Sequence, residues 1–126
     1  MKVIYLAGAY RAATIREIVE NINKAESWAL QLWKAGAAVI SPHMNTRLFD
    51  GALPDEIWLQ GDVEIMKRCD CMAVMPGWEN SRGTREELIQ ARLIGNKKLP
   101  VFFLGSMDIQ CGNDALLAFI RGEATP

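Results

Sequence analysis

Three observations predict an α/β domain of three layers, with a parallel sheet of four or five strands between helices. Short apolar runs alternate with longer segments of helical periodicity. Those runs lack the polar alternation of a half-exposed strand, as expected where a strand is covered on both faces. The chain has 126 residues, half of them hydrophobic. That is enough for one such core and too little for two, so residues 1–126 are read as a single domain.

The elements follow in order. Lys2 to Ala7 is a short apolar run stopped by Gly8 and reads as the first strand. Thr14 and Glu17 have the spacing of a capping box. The helix they open carries Ile18, Ile22, Ala25, Ala29 and Leu32 at alternating four- and three-residue steps. Gly36 then stands where a left-handed cap belongs. Ala37 to Ser41 is the second strand, closed by Pro42, and His43 to Leu53 is a loop. Pro54 reads as the first-turn proline of a helix running to about Arg68, with Asp55 and Glu56 at its positive end. Cys71 to Met75 is the third strand, and Pro76 to Gly83 is a loop. A helix from Thr84 to Ile94 ends at Gly95-Asn96, and Leu99 to Leu104 is the fourth strand. Asn113 or Asp114 caps a last helix reaching about Arg121, and the tail from Glu123 is expected to fray. The alternation βαβαβαβα is of the Rossmann or flavodoxin kind. In such sheets ligands bind beyond the carboxyl ends of the strands, where strand order reverses. That rule selects Gly8 to Arg11, Pro42 to Thr46 and Pro76 to Thr84.

Bulk properties remove several function classes. A net charge of −1 supplies no basic field for a nucleic-acid polymer. Cys69, Cys71 and Cys111, with a single histidine, do not make a zinc-ligand pattern, so no metal is expected. Neither G-x-G-x-x-G nor a P-loop is present, so no dinucleotide or other cofactor is expected. The thiols fit a reducing cytosol, the first residues do not read as a signal peptide, and no run is long enough to cross a bilayer. The expected location is the cytoplasm.

Two places can carry chemistry. Asp62 falls inside the apolar stripe of Trp58, Ile65, Met66 and Cys69. A carboxylate there either pairs with an arginine or faces the ligand crevice, because desolvating it unpaired is costly. Gly61 beside it leaves room for a close approach. The second place is Ser81 to Glu87. Gly83 permits an unusual turn, Ser81 and Thr84 offer hydroxyls, and the amides of a helix start suit an anion or a polar sugar. Glu86 and Glu87 compete there. Helical spacing puts Glu87 with Thr84, Ala91 and Ile94, but Ile89 and Leu93 are apolar too, so both glutamates stay open, each equally at home as a surface residue favoured by the helix dipole. Tyr5, Gly8, Tyr10 and Arg11 surround the first turn. His43 and Asn45 follow the second strand, as loop residues or as substrate contacts. Of four tryptophans, Trp78 alone lies on a loop selected by the sheet rule, where its ring can stack on a base; the others read as core or interface.

The motifs Tyr5-Leu6-Ala7-Gly8-Ala9-Tyr10-Arg11, Trp58 to Asp62, and Ser81-x-Gly83-x-x-x-Glu87-Leu88-x-x-Ala91 together resemble the nucleoside 2-deoxyribosyltransferase superfamily. The nearest pattern is that of the 2′-deoxynucleoside 5′-phosphate N-hydrolases and their small phage and bacterial relatives. Pro76-Gly77 with Gly83-Thr84-x-x-Glu87 is also similar to the loop of the phosphoribohydrolases that release cytokinins. Both resemblances select Glu87 over Glu86. They imply Glu87 as the nucleophile at the anomeric carbon, Asp62 as a sugar contact that orients it, and Tyr5 beside it. Arg11 and Ser81 match positions that hold a 5′-phosphate. Ala9 and Leu117 stand where the N-hydrolases carry serines. The expected partner is a small nucleoside or nucleotide, with a homo-oligomeric assembly. The expected activity is cleavage or transfer of an N-glycosidic bond, the alternative being a protein that binds a nucleotide without turnover.

Overall fold

The computed structural model describes residues 1–93, 99–106 and 108–123. Its middle layer is a sheet of four parallel strands among those residues: β1 (Val3–Ala7), β2 (Ala38–Ile40), β3 (Cys71–Val74) and β4 (Val101–Phe103). The strand order is β2-β1-β3-β4. The helices are α1 (Ile15–Lys34), α2 (Pro42–Asn45), α3 (Asp55–Lys67), α4 (Arg82–Leu93) and α5 (Asp114–Ile120).

Period-two geometry divides the strand side chains between two cores. Ile4, Leu6, Cys71 and Ala73 pack with Trp28, Ala29 and Leu32 of α1 and Leu116, Phe119 and Ile120 of α5. Tyr5, Ala7, Met72 and Val74 face the other way, onto Met66 of α3 and Leu88 and Ala91 of α4. β1 and β3 are therefore covered on both faces, as their unbroken apolar runs predict. The chain steps outward from β1 to β2 and returns past β1 to β3. The segments leaving β1 and β3 then lead to opposite faces, through α1 and α4, and their carboxyl ends border a crevice.

The local signals act as expected at α1. The Thr14 Oγ1 accepts the Glu17 amide at 3.2 Å, and its hydroxyl donates to the Glu17 carboxylate at 2.8 Å. Gly36 is left-handed, at φ 104°. Elsewhere boundaries move. Pro54 is the N-cap of α3 and not its first helical residue. The predicted loop after Pro42 begins with the helical turn α2, which contains His43. The loop before α4 holds a 3-10 turn, Trp78–Asn80, and α4 starts at Arg82, two residues before the expected Thr84. Asn113 is the N-cap residue of α5, but its side chain makes no capping bond and accepts the Gly105 amide at 3.0 Å instead. Ile94, Gly95-Asn96 and residues 124–126, on which the fourth helix's end and the frayed tail were expected, lie outside the described residues.

Candidate active site

A cleft of about 680 Å³ opens at the carboxyl ends of β1 and β3, between the first turn, the 42–56 segment, α3 and the start of α4. Its size is that of a small-molecule site. At its base lies Glu87, buried, with 9% of its surface exposed. Tyr5, wholly buried on β1, donates its hydroxyl to the Glu87 carboxylate. The alternation of β1 explains this contact: Tyr5 faces α3 and α4 while Ile4 and Leu6 face α1.

Burial dominates the electrostatics. Desolvation pushes Glu87 up to about 7, opposed by the Tyr5 hydrogen bond and reinforced by the charge of Asp62. Asp62 lines the same cleft and is pushed up to about 6 by desolvation. No ion pair or hydrogen bond engages Asp62 among the described residues, so the crevice alternative is the one realised. Desolvation and the neighbouring Glu87 and Asp62 charges hold Tyr5 well above the usual phenol range, so it stays a donor. Two carboxyl groups poised near neutrality in one cleft form a pattern that marks functional sites.

The remaining predicted residues divide. Gly8, Tyr10, Arg11, His43, Ser81, Gly83 and Thr84 line the cleft. Glu86 lines it as well, but half-buried, whereas Glu87 turns inward to Tyr5. His43 is buried; its Nε2 donates to the Ala9 carbonyl at 2.9 Å, and desolvation lowers its basicity, so the ring is neutral. A Cβ on Gly8 would sit 2.4 Å from Met75 Cε and 3.0 Å from Met75 Cβ. Gly8→Ala is accordingly expected to destabilise the fold by about 1–3 kcal/mol, read by urea denaturation.

Four expectations are corrected. Asn45 is exposed and lies off the cleft, because α2 turns it outward. Trp78 also lies off it: left-handed Gly77 (φ 89°) turns the chain so that the indole packs on Phe103, ring centres 5.2 Å apart. Trp58 lines the cleft in its stead. It sits one turn before Asp62 on the same helix face, so the spacing that singled out Asp62 also pointed to Trp58. Gly83 is a helical residue of α4 with no left-handed φ and so makes no special turn, and no other part of the chain comes within 4 Å of a Cβ placed on Gly61, so no second backbone approaches there.

Other cleft residues were not singled out in the sequence. Asp50 accepts the Tyr10 hydroxyl at 2.6 Å, and that hydroxyl accepts the Leu48 amide at 3.0 Å. Asp55 pairs with Arg11 at 2.5 Å. Phe49 lines the cleft beside Trp58, ring centres 5.9 Å apart. Only an acidic first turn hinted at Asp55; Asp50 and Phe49 carried no signal. No group of three or more potential metal ligands is assembled among the described residues, and no helix there is long and apolar enough to cross a membrane.

The model of the family described as domain of unknown function DUF4406 matches residues 2–99. Among curated proteins, none matches the sequence. Solved structures share the fold, among them the following two. A 2-deoxyribosyltransferase from the psychrotolerant bacterium Bacillus psychrosaccharolyticus is similar at a TM-score of 0.60 and 21% identity, over 91% of this chain and 95% of its own. The CMP N-glycosidase BcmB of Clostridium botulinum is similar at a TM-score of 0.55 and 19% identity, over 94% of this chain and 99% of its own. The resemblance read from the motifs is thus met at the level of the fold.

Proposed function

Given that the chain belongs to the DUF4406 family, we propose that it cleaves or transfers the N-glycosidic bond of a nucleoside or nucleotide, with Glu87 as nucleophile. One observation carries this reading: a buried glutamate, held by a tyrosine hydroxyl and pushed up to about 7, at the base of a cleft that a second carboxyl group also lines. The names of the two structural neighbours, a deoxyribosyltransferase and an N-glycosidase, support the same class.

The chemistry follows from those groups. The ionised Glu87 attacks the anomeric carbon as the bond to the base breaks. The base leaves with the bonding electron pair and takes up a proton. The developing oxocarbenium charge is stabilised by the nearby carboxylates, as in retaining glycosidases. Water then attacks the glycosyl ester, returning Glu87 and a free sugar; a second base in place of water gives transfer. Asp62, in the same cleft, contacts the sugar and orients Glu87.

Incubation with a panel of ribo- and deoxynucleosides and their 5′-monophosphates, followed by chromatography, is expected to show free base. If an intact nucleoside or nucleotide stabilises the protein in a thermal-shift assay but is never consumed, the protein binds without turnover and the catalytic reading fails.

A further inference from the structure

Polar side chains that line the cleft are already paired within the chain. Arg11 Nη2 lies 2.5 Å from the Asp55 carboxylate. The Ser81 Oγ accepts both the Thr84 amide, at 3.2 Å, and the Thr84 hydroxyl, at 3.0 Å. Ser81 thus caps one amide of the first turn of α4. Tyr10, which also lines the cleft, gives its hydroxyl to Asp50.

The charge of the cleft points the same way. Asp50, Asp55, Glu56, Asp62, Glu86 and Glu87 line it, against Arg11 and Arg82. Even with Asp62 and Glu87 protonated, the acids outnumber the guanidinium groups. A phosphate near neutral pH is largely a dianion with no hydroxyl to donate, so it meets these carboxylates as a like charge. A sugar hydroxyl donates to the same carboxylates.

Resting on the glycosidic reading above, we infer that the substrate is an uncharged nucleoside and not its 5′-monophosphate, and that Asp55 sets this choice by holding Arg11. The Arg11–Asp55 pair is exposed on both sides, 63% and 67%. Such a pair adds little to stability. Its effect lies in what it denies a ligand, and removing it leaves the fold standing.

The test compares each deoxynucleoside with its 5′-monophosphate, by base release and by calorimetric titration, in the wild type and in Asp55→Asn. The wild type is expected to favour the nucleoside by at least about tenfold in kcat/KM and in Kd. Asp55→Asn is expected to move that ratio toward the monophosphate by about tenfold, and further at low salt. Equal or greater preference for the monophosphate in the wild type overturns the inference, and an unmoved ratio in Asp55→Asn overturns the role of Asp55. If no base is released from any compound, the glycosidic reading fails by itself. The titration still decides the ligand class: tighter binding of the nucleoside upholds it, and binding of neither compound overturns it.

Discussion

Glu87→Gln is expected to abolish base release, by at least about a thousandfold in kcat, while making the folded protein more stable at pH 8. The first effect follows from the proposed nucleophile role, since an amide cannot form the glycosyl ester. The second follows from burial. An unfolded glutamate titrates near 4.5, whereas in the fold Glu87 is pushed up to about 7. Below pH 4.5 the group is protonated in both states and costs the fold nothing. Between 4.5 and 7 the unfolded chain gives up its proton and the folded one retains it, so stability falls as pH rises. Above 7 the full penalty is present, about 3 kcal/mol. Glutamine is free of that penalty and still accepts the Tyr5 hydroxyl. Thermal melts are therefore expected to place Glu87→Gln about 10 °C above the wild type at pH 8 and level with it at pH 4. Melts that coincide at pH 8 would show that the carboxylate is not desolvated. Activity that survives the substitution would remove Glu87 as the nucleophile. A residue costly to folding and required for turnover is what a stability–activity trade-off looks like at one side chain.

Much of this site was legible in the chain, and the legible parts share a cause. Asp62 stood out because helical spacing is rigid: a residue four after Trp58 and four before Met66 must share their face. The cleft edge follows from the alternation of strands and helices, whereas only the motif resemblance set Tyr5 beside Glu87, a place that the two-residue alternation of β1 explains once the sheet is known. Choosing Glu87 over Glu86 was harder. Both lie on one helix turn flanked by apolar residues, and only the wider motif separates them in the sequence; in the fold Glu87 is the one that accepts the Tyr5 hydroxyl. Where the chain leaves regular structure, periodicity has no hold. Trp78 lies on the right loop, yet one left-handed residue, Gly77, turns its ring to Phe103. Asp50 and Asp55 meet Tyr10 and Arg11 across 40 and 44 residues, by contacts that only tertiary packing creates.

Those two layers, a regular base and an irregular rim, predict different behaviour when they are changed. Tyr5 belongs to the base, and Tyr5→Phe isolates its hydroxyl with little change in volume. The hydroxyl is what holds Glu87 down against burial, so without it the carboxyl rises above 7. In the wild type, turnover is expected to climb with pH through about 7 as the nucleophile ionises; Asp62, near 6, has by then largely ionised. In Tyr5→Phe the same climb moves to higher pH. At pH 6 each unit of that displacement removes about tenfold of the ionised form, whereas near pH 9 the two enzymes converge. A pH–rate profile of kcat/KM from 5 to 9.5 reads this directly. A loss of equal size at every pH would instead mean that the hydroxyl only positions the cleft and does not tune the nucleophile. Rim changes such as Asp55→Asn leave this limb where it is, because Asp55 does not contribute to the raised value at Glu87. On the proposed function, the pH at which turnover rises is expected to follow burial, Tyr5 and Asp62 in the base of the cleft, and the choice of ligand is expected to follow the carboxylates of its rim.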